Sequence, residues 1–336
     1  MFTALLPPGT PFEIRASPGR RLGVFATKDI PAKSCIFREE ALFVIKRPFN
    51  MIGPEDVDAA YRQLDSRKQA LFKSLVEYER HQEGQKHFFP QVEAFKRNQF
   101  DVSGQMHDYD QPIPHAQGLF LISSRLNHSC IPNAVFPRIQ PKTGHGYRPA
   151  VLLALRPIAI GEEILFDYDP AHAYLTAKQR RAVPYWKFTC TCAACDDNYP
   201  QRVESDMRRA LLRGLHYLIH RRDVPECSRL KPPVLQNATS GRPDPNTIAM
   251  WQAISGYIAE AEGLAMLAIY FFYEALKIMI SVSGSTAASN RGLKLAVVWG
   301  EKFLAISETL HPDAVEGVGA VEQLMAVFKS MIDGKT

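Results

Sequence analysis

The run Asn127-His128-Ser129-Cys130-Ile131-Pro132-Asn133 places an imidazole, a thiol, a hydroxyl and two amides in one short segment that ends in turn chemistry. Taken singly, a histidine or cysteine here reads as a satisfied core group in a buried turn. Three further segments change that reading. Downstream lies Gly161-Glu162-Glu163-Ile164-Leu165-Phe166-Asp167-Tyr168, which alone is a turn, a strand and an aromatic. Beyond it comes Cys190-Thr191-Cys192-Ala193-Ala194-Cys195, and upstream stands Gly19-Arg20-Arg21-Leu22-Gly23-Val24-Phe25-Ala26, a glycine-containing turn between two strands.

The cysteine run is a metal signal in its own right, because thiolates two and three residues apart converge on one ion. Three thiolates leave a tetrahedral zinc one ligand short. The chain offers Cys35, Cys130, Cys227 or a histidine as the fourth.

The order and spacing of the four segments resemble the SET-domain protein lysine methyltransferases, whose patterns are N-H-S-C-x-P-N, G-E-E-[IL]-x-x-x-Y and G-x-G-L-G-V-F-A. The third is matched with one departure, Arg21 standing where the second glycine is usual. The C-x-C-x-x-C tail, a helical insert over about residues 47–116 and a helical C-terminal part resemble the SMYD-like branch, as does Asn98 in Lys96-Arg97-Asn98-Gln99-Phe100. The insert contains no cysteine, so the MYND zinc finger of that branch is missing.

The resemblance implies an α+β fold of several short sheets with a pseudoknot, a post-SET zinc site and a helical C-terminal domain. It implies S-adenosyl-L-methionine as cosubstrate and a structural zinc held by Cys130, Cys190, Cys192 and Cys195. Cofactor contacts are expected from Gly19, Arg20, Arg21, Asn98, Ser124, Asn127, His128, Tyr168 and Phe188. Tyr168 is the expected catalytic residue, its hydroxyl orienting the amine or the methyl group. Trp186 stands where the branch has a second tyrosine, which leaves the number of methyl groups open. A SET-like scaffold that has lost activity and binds protein partners is the alternative, motivated by Arg21 and Trp186.

Composition is that of an ordinary globular chain: 336 residues, 46% hydrophobic and 22% charged, with a formal charge of +5. Paired arginines such as Arg20-Arg21 and Arg221-Arg222 are scattered rather than gathered in a stripe. Asp196-Asp197 also follow the cysteines, so direct nucleic-acid binding is not expected. The crowded cysteines and the absence of a signal-like N-terminus point to a reducing, intracellular setting, nucleus and/or cytoplasm. The most apolar stretch, Leu264 to Tyr273, is followed by Glu274 and Lys277 and is expected to fall short of a membrane span. The partner implied is a protein presenting a lysine; the oligomeric state stays open.

Along the chain, strands are expected over 11–46, a helical stretch over 54–80, and a short helix then a loop over 81–116. Strands return at Ala134–Ile139, Ala150–Arg156 and Glu163–Phe166, with a short helix at Leu175–Ala182. Residues 1–200 read as one domain, with the cysteine cluster at about 186–197. Residues 201–336 read as an appended helical bundle, interrupted from Pro225 to Pro245 and carrying one faintly tetratricopeptide-like helix, Ala268 to Lys277.

Overall fold

The N-terminal hairpin shows how local chemistry sets the frame. Strand β1 (Phe12–Ser17) pairs antiparallel with β2 (Arg21–Ala26), in register from Phe12↔Ala26 to Ser17↔Arg21. Phe12 and Ile14 are buried while Glu13 and Arg15 face solvent, the alternation of a half-buried strand. The turn between the strands uses two left-handed residues, Gly19 at φ 73° and Arg21 at φ 68°. The computed structural model describes residues 6, 9–83, 89–102, 115–136, 149–182, 189–224, 243–283, 290–312, 315 and 317–333. Trp186, Phe188, Cys227 and the expected strand residues 137–139 lie outside the described residues.

Three more small sheets follow. Strand β3 (Cys35–Glu39) will form one edge of a second sheet, and β4 (Phe43–Ile45) an edge of a third. Helix α1 (Pro54–Arg62) begins as expected at Pro54, with the Asp56 carboxylate accepting from the Gly53 N–H at 3.0 Å. The helical stretch is two helices rather than one. Asp65 accepts from the Lys68 N–H at 2.8 Å and starts α2 (Ser66–Glu83) afresh. Val57, Phe72 and Leu75 are buried, with Tyr61, Leu64 and Leu71 packed against them.

Helix α3 (Pro90–Asn98) is the expected short helix, but the chain does not then pass straight into a loop. Strand β5 (Gln99–Asp101) pairs with β6 (Gln117–Leu119), completing a sheet in the order β4-β6-β5. Three residues are too few for a period-two pattern to show in the sequence. The second sheet has β9 (Ala150–Ala154) between β3 and β8 (Ala134–Val135). In the fourth, β7 (Asn127–His128) pairs in parallel with β10 (Leu165–Phe166). The expected strand at Glu163–Phe166 is thus shorter, Glu163 instead forming an isolated bridge to Phe25. A core that includes Val24, Leu75, Phe95, Leu119, Leu126, Leu152 and Ile164 joins the larger sheets to the inserted helices.

After the short helix α4 (Ala177–Ala182) and the cysteine loop, the described chain is helical. It comprises α5 (Arg202–His220), α6 (Pro245–Ala261), α7 (Ala265–Ser283), α8 (Asn290–Glu308) and α9 (Val318–Ile332). These helices share a core of Ala253, Phe272, Trp299, Phe303 and Phe328, against which Leu155, Ala173 and Tyr174 of the first half also pack. One expectation is corrected here. Ala265–Val282 is long and apolar enough to cross a membrane by length and composition even with Glu274 and Lys277 inside it, so those charges do not by themselves disqualify it. Its inward residues Ala268, Phe272, Ala275 and Leu276 are buried in the helical core.

Candidate active site and cysteine cluster

Four sulfurs meet between the two halves of the chain. Cys130 follows β7, whereas Cys190, Cys192 and Cys195 come from the loop after α4, and all four Sγ atoms lie within 4.8 Å of one another. Cys130 Sγ is 3.9 Å from that of Cys190 and 3.7 Å from that of Cys195. A disulfide needs about 2.05 Å. Thiolates at about 2.3 Å around a tetrahedral ion stand about 3.8 Å apart. The spacing therefore fits a tetrahedral metal, and Cys35, exposed on β3, is not part of the group.

The surroundings suit deprotonated sulfur. Arg180, buried on α4, aims Nε and Nη2 at Cys195 Sγ, 3.2 and 3.1 Å away. Nη1 and Nη2 also donate to the Leu175 and Ala194 carbonyls, respectively. On the other side His128 Nε2 lies 3.2 Å from Cys130 Sγ. The Tyr168 N–H donates to His128 Nδ1 at 3.2 Å, which leaves the ring proton on Nε2, directed at the sulfur. Burial, then the neighbouring His172, pushes the His128 pKa down to about 3, so the imidazole is neutral. His172 converges on the same corner: its ring is 5.0 Å from that of His128, and His128, Cys130 and His172 form a second set able to hold an ion.

Backbone pairing alone does not hold the Asn127–Asn133 segment. Asn127 Nδ2 donates to the Leu22 carbonyl at 2.9 Å and to Glu163 Oε1 at 2.7 Å, tying the segment to the N-terminal hairpin. Asn133 Nδ2 donates to Glu162 Oε1 and to the Glu163 carbonyl, while its Oδ1 accepts from the Leu165 N–H at 2.8 Å. Gly23 makes this possible, since a Cβ there would stand 2.3 Å from Glu163 Oε1. Arg20 closes the circuit, donating to the His128 carbonyl at 3.3 Å and to Thr191 Oγ1, inside the cysteine run, at 3.0 Å.

Tyr168 is half-buried beside this network. Its hydroxyl donates to the Leu126 carbonyl at 2.5 Å, and its ring packs 4.8 Å from Phe166 and 5.3 Å from His128. Burial raises its pKa, against the pull of Arg125 and Arg20, so the phenol stays protonated. Arg20, Asn127, His128, Tyr168 and the four cysteines thus form one connected group. Gly19 and Arg21 sit exposed on the hairpin turn, with open space around Gly19.

Asn98 and Ser124 meet at a different point, through Arg125. That guanidinium donates to Asn98 Oδ1 and to Ser124 Oγ, while Asn98 Nδ2 donates to the Ala94 carbonyl. Asn98 is buried. Sequence reasoning missed Glu39, Asn133, Glu163, Arg180 and Arg209. Glu39 accepts from the Ile122 and Ser123 N–H groups, both at 2.8 Å, and from Ser123 Oγ, which fixes the turn leading into the motif. Asn133 and Glu163 were inside quoted motifs without a role; Glu39, Arg180 and Arg209 carry no sequence signal.

Residues 21–169 match the family model described as the SET domain. Over 99 residues the chain is 36% identical to histone-lysine N-methyltransferase set5 of Schizosaccharomyces pombe, covering 28% of each chain. Over 80 residues it is 39% identical to histone-lysine N-methyltransferase SET5 of Meyerozyma guilliermondii, covering 24% of this chain and 16% of the relative. A SET domain-containing protein, L678 of Acanthamoeba polyphaga mimivirus, is 22% identical over 210 residues, 54% of this chain and 78% of the relative. The matches to the fungal relatives span less than a third of their lengths.

Proposed function

We propose that this protein is an S-adenosyl-L-methionine-dependent protein-lysine methyltransferase with one structural zinc on Cys130, Cys190, Cys192 and Cys195. The observation that carries the reading is Tyr168, a protonated phenol fixed by the Leu126 carbonyl within the SET-domain motifs. Because its proton is given to that carbonyl, the oxygen keeps lone pairs for an incoming amine or a polarised methyl group. A bound S-adenosyl-L-methionine supplies an electrophilic methyl group on a sulfonium.

The amine must arrive neutral, and only roughly 0.04% of free lysine is neutral at pH 7. Desolvation next to the Phe166 and Tyr168 rings favours that form. Holding the groups in line contributes about 7–11 kcal/mol in well-oriented reactions. The hairpin turn with Gly19, Arg20 and Arg21, together with Asn127, His128, Asn98, Ser124 and Phe188, is assigned to the cofactor. For His128 the backbone is the part that serves it, since the imidazole is committed to Cys130 and to the Tyr168 N–H. The zinc pins the loop after α4 and takes no part in the chemistry. Asn98, the C-x-C-x-x-C run and the helical C-terminal part support placement in the SMYD-like branch. The names of the fungal relatives support histone lysines, and hence the nucleus, as a first place to look.

The test is methyl transfer from tritiated S-adenosyl-L-methionine to histones and to a cell extract, beside calorimetric titration of the same cofactor. Labelled protein lysine together with saturable cofactor binding is expected. Neither labelling nor binding would sink the proposal and leave a SET-like scaffold, the reading that Arg21 in place of a glycine favours.

A further inference from the structure

Arg209 is a fully buried side chain on α5, outside every quoted motif. All three of its nitrogens are engaged. Nε donates to Glu262 Oε1 at 2.9 Å, Nη1 to the His172 carbonyl at 2.8 Å and Nη2 to the Cys130 carbonyl at 2.8 Å. Glu262, at the C-terminal cap of α6, is itself buried and also accepts from Arg208 Nε at 2.7 Å and from Ser205 Oγ. The counter-charge therefore comes from one helix, the guanidinium from another, and the two carbonyls from the SET-domain side.

Apolar packing would join the two halves without desolvating an ion pair. A planar guanidinium adds direction, because its fork fixes where each acceptor sits. The acceptors here are informative. One is the carbonyl of Cys130, whose thiol is in the cluster. The other belongs to His172, whose ring packs 5.0 Å from His128, and the Tyr168 N–H rests on His128. A shift of Arg209 would move the cysteine cluster and the backbone of Tyr168 together.

We propose that Arg209, oriented by Glu262, is a positioning residue through which the helical C-terminal part sets the geometry of the cysteine cluster and of Tyr168. The kinetic arm of its test rests on the methyl-transfer reading above; the spectroscopic arm does not. The test compares full-length wild type with Arg209→Lys, which keeps the charge facing Glu262 but cannot serve three acceptors as a fork. Cobalt(II) loaded into the cluster reports its geometry through the thiolate and ligand-field absorption bands. Arg209→Lys is expected to bind one cobalt and to show altered bands. Its kcat should fall about tenfold or more, with KM for the protein substrate within about threefold.

If Arg209→Lys does not fold, the paired change Arg209→Met with Glu262→Met, which removes both buried charges at similar volume, takes its place with the same expectation. Native cobalt bands with native kcat overturn the proposal. So does a loss that merely tracks the fraction of folded protein, or a failure of both variants to fold, since a structural strut behaves that way. Altered bands in a variant, beside a wild type that transfers no methyl group, would defeat the proposed function and leave Arg209 its positioning role.

Discussion

Tyr168 divides its work between a ring that packs and a hydroxyl that is aimed. The ring contacts Phe166 and His128, whereas the hydroxyl touches the Leu126 carbonyl. Tyr168→Phe should lower the methyl-transfer rate about 100-fold, the scale of one positioned polar group in a dry site. Thermal stability should change by only about 1 kcal/mol, the net worth of one hydrogen bond. Equal rates in mutant and wild type would remove the hydroxyl from the mechanism. Arg21 invites a change of the opposite kind. Its φ of 68° is left-handed, which costs a side-chain-bearing residue about 1–2 kcal/mol and glycine nothing. Arg21→Gly should leave stability unchanged or raise it by up to about 1 kcal/mol, after glycine's larger entropy loss. It should leave cofactor affinity within about tenfold, roughly 1.4 kcal/mol. Gly23→Ala should do the reverse, because a Cβ 2.3 Å from Glu163 Oε1 forces that carboxylate away from Asn127. An overpacking loss of about 1–3 kcal/mol is expected in chemical denaturation.

At the level of elements, the loop from Thr189 to Pro200 has little of its own to hold it. Its one regular feature is a three-residue turn, Ala193–Cys195, and its buried residues are Cys192, Ala194 and Cys195, with Cys190 partly buried beside them. An ion bound by the four cysteines would replace the apolar core that so short a segment cannot build. Metal analysis should find about one zinc per chain, and chelation should expose this loop to protease well before the sheets unfold. Cys130→Ser should lose the metal and Cys35→Ser should keep it, since only Cys130 lies in the cluster. Metal retention by Cys130→Ser would transfer the fourth position to a histidine, with His128 or His172 the nearest donors.

For the whole molecule, the buried Arg209–Glu262 ion pair, from which Arg209 reaches the SET-domain side, makes stability depend on acid. Burial raises the Glu262 pKa, but Arg209, Ser205 and Arg208 outweigh it and hold the carboxyl below its ordinary 4.5. A depressed native pKa contributes stability that is complete above the unfolded value and is lost as pH falls through the native one. Glu262→Gln should cost about 3 kcal/mol near neutral pH, because it strands buried arginine charge. The gap to wild type should shrink once the pH drops below that ordinary value. A gap constant from pH 7 to pH 3 in urea titrations would mean that folding leaves the Glu262 pKa unshifted.

Short-range chemistry was enough to read much of this protein. The Ser17–Arg21 turn, the helix start at Pro54 and the four motifs depend on residues close in sequence, and each stands where spacing put it. The cysteine loop announced a metal by itself, and the family resemblance, not the loop, singled out Cys130. The strand β5 and the break between α1 and α2 escaped because three residues carry no periodicity. Arg180, Glu39 and Arg209 escaped for another reason. Each is a polar residue on an ordinary element whose partners come from elsewhere in the chain, as with Arg209 and Cys130, 79 positions apart. Local sequence determined which side chains are candidates for the chemistry. Only the tertiary structure decided which buried charges hold them in place, because pairing a charge in the interior depends on three-dimensional proximity that no spacing encodes.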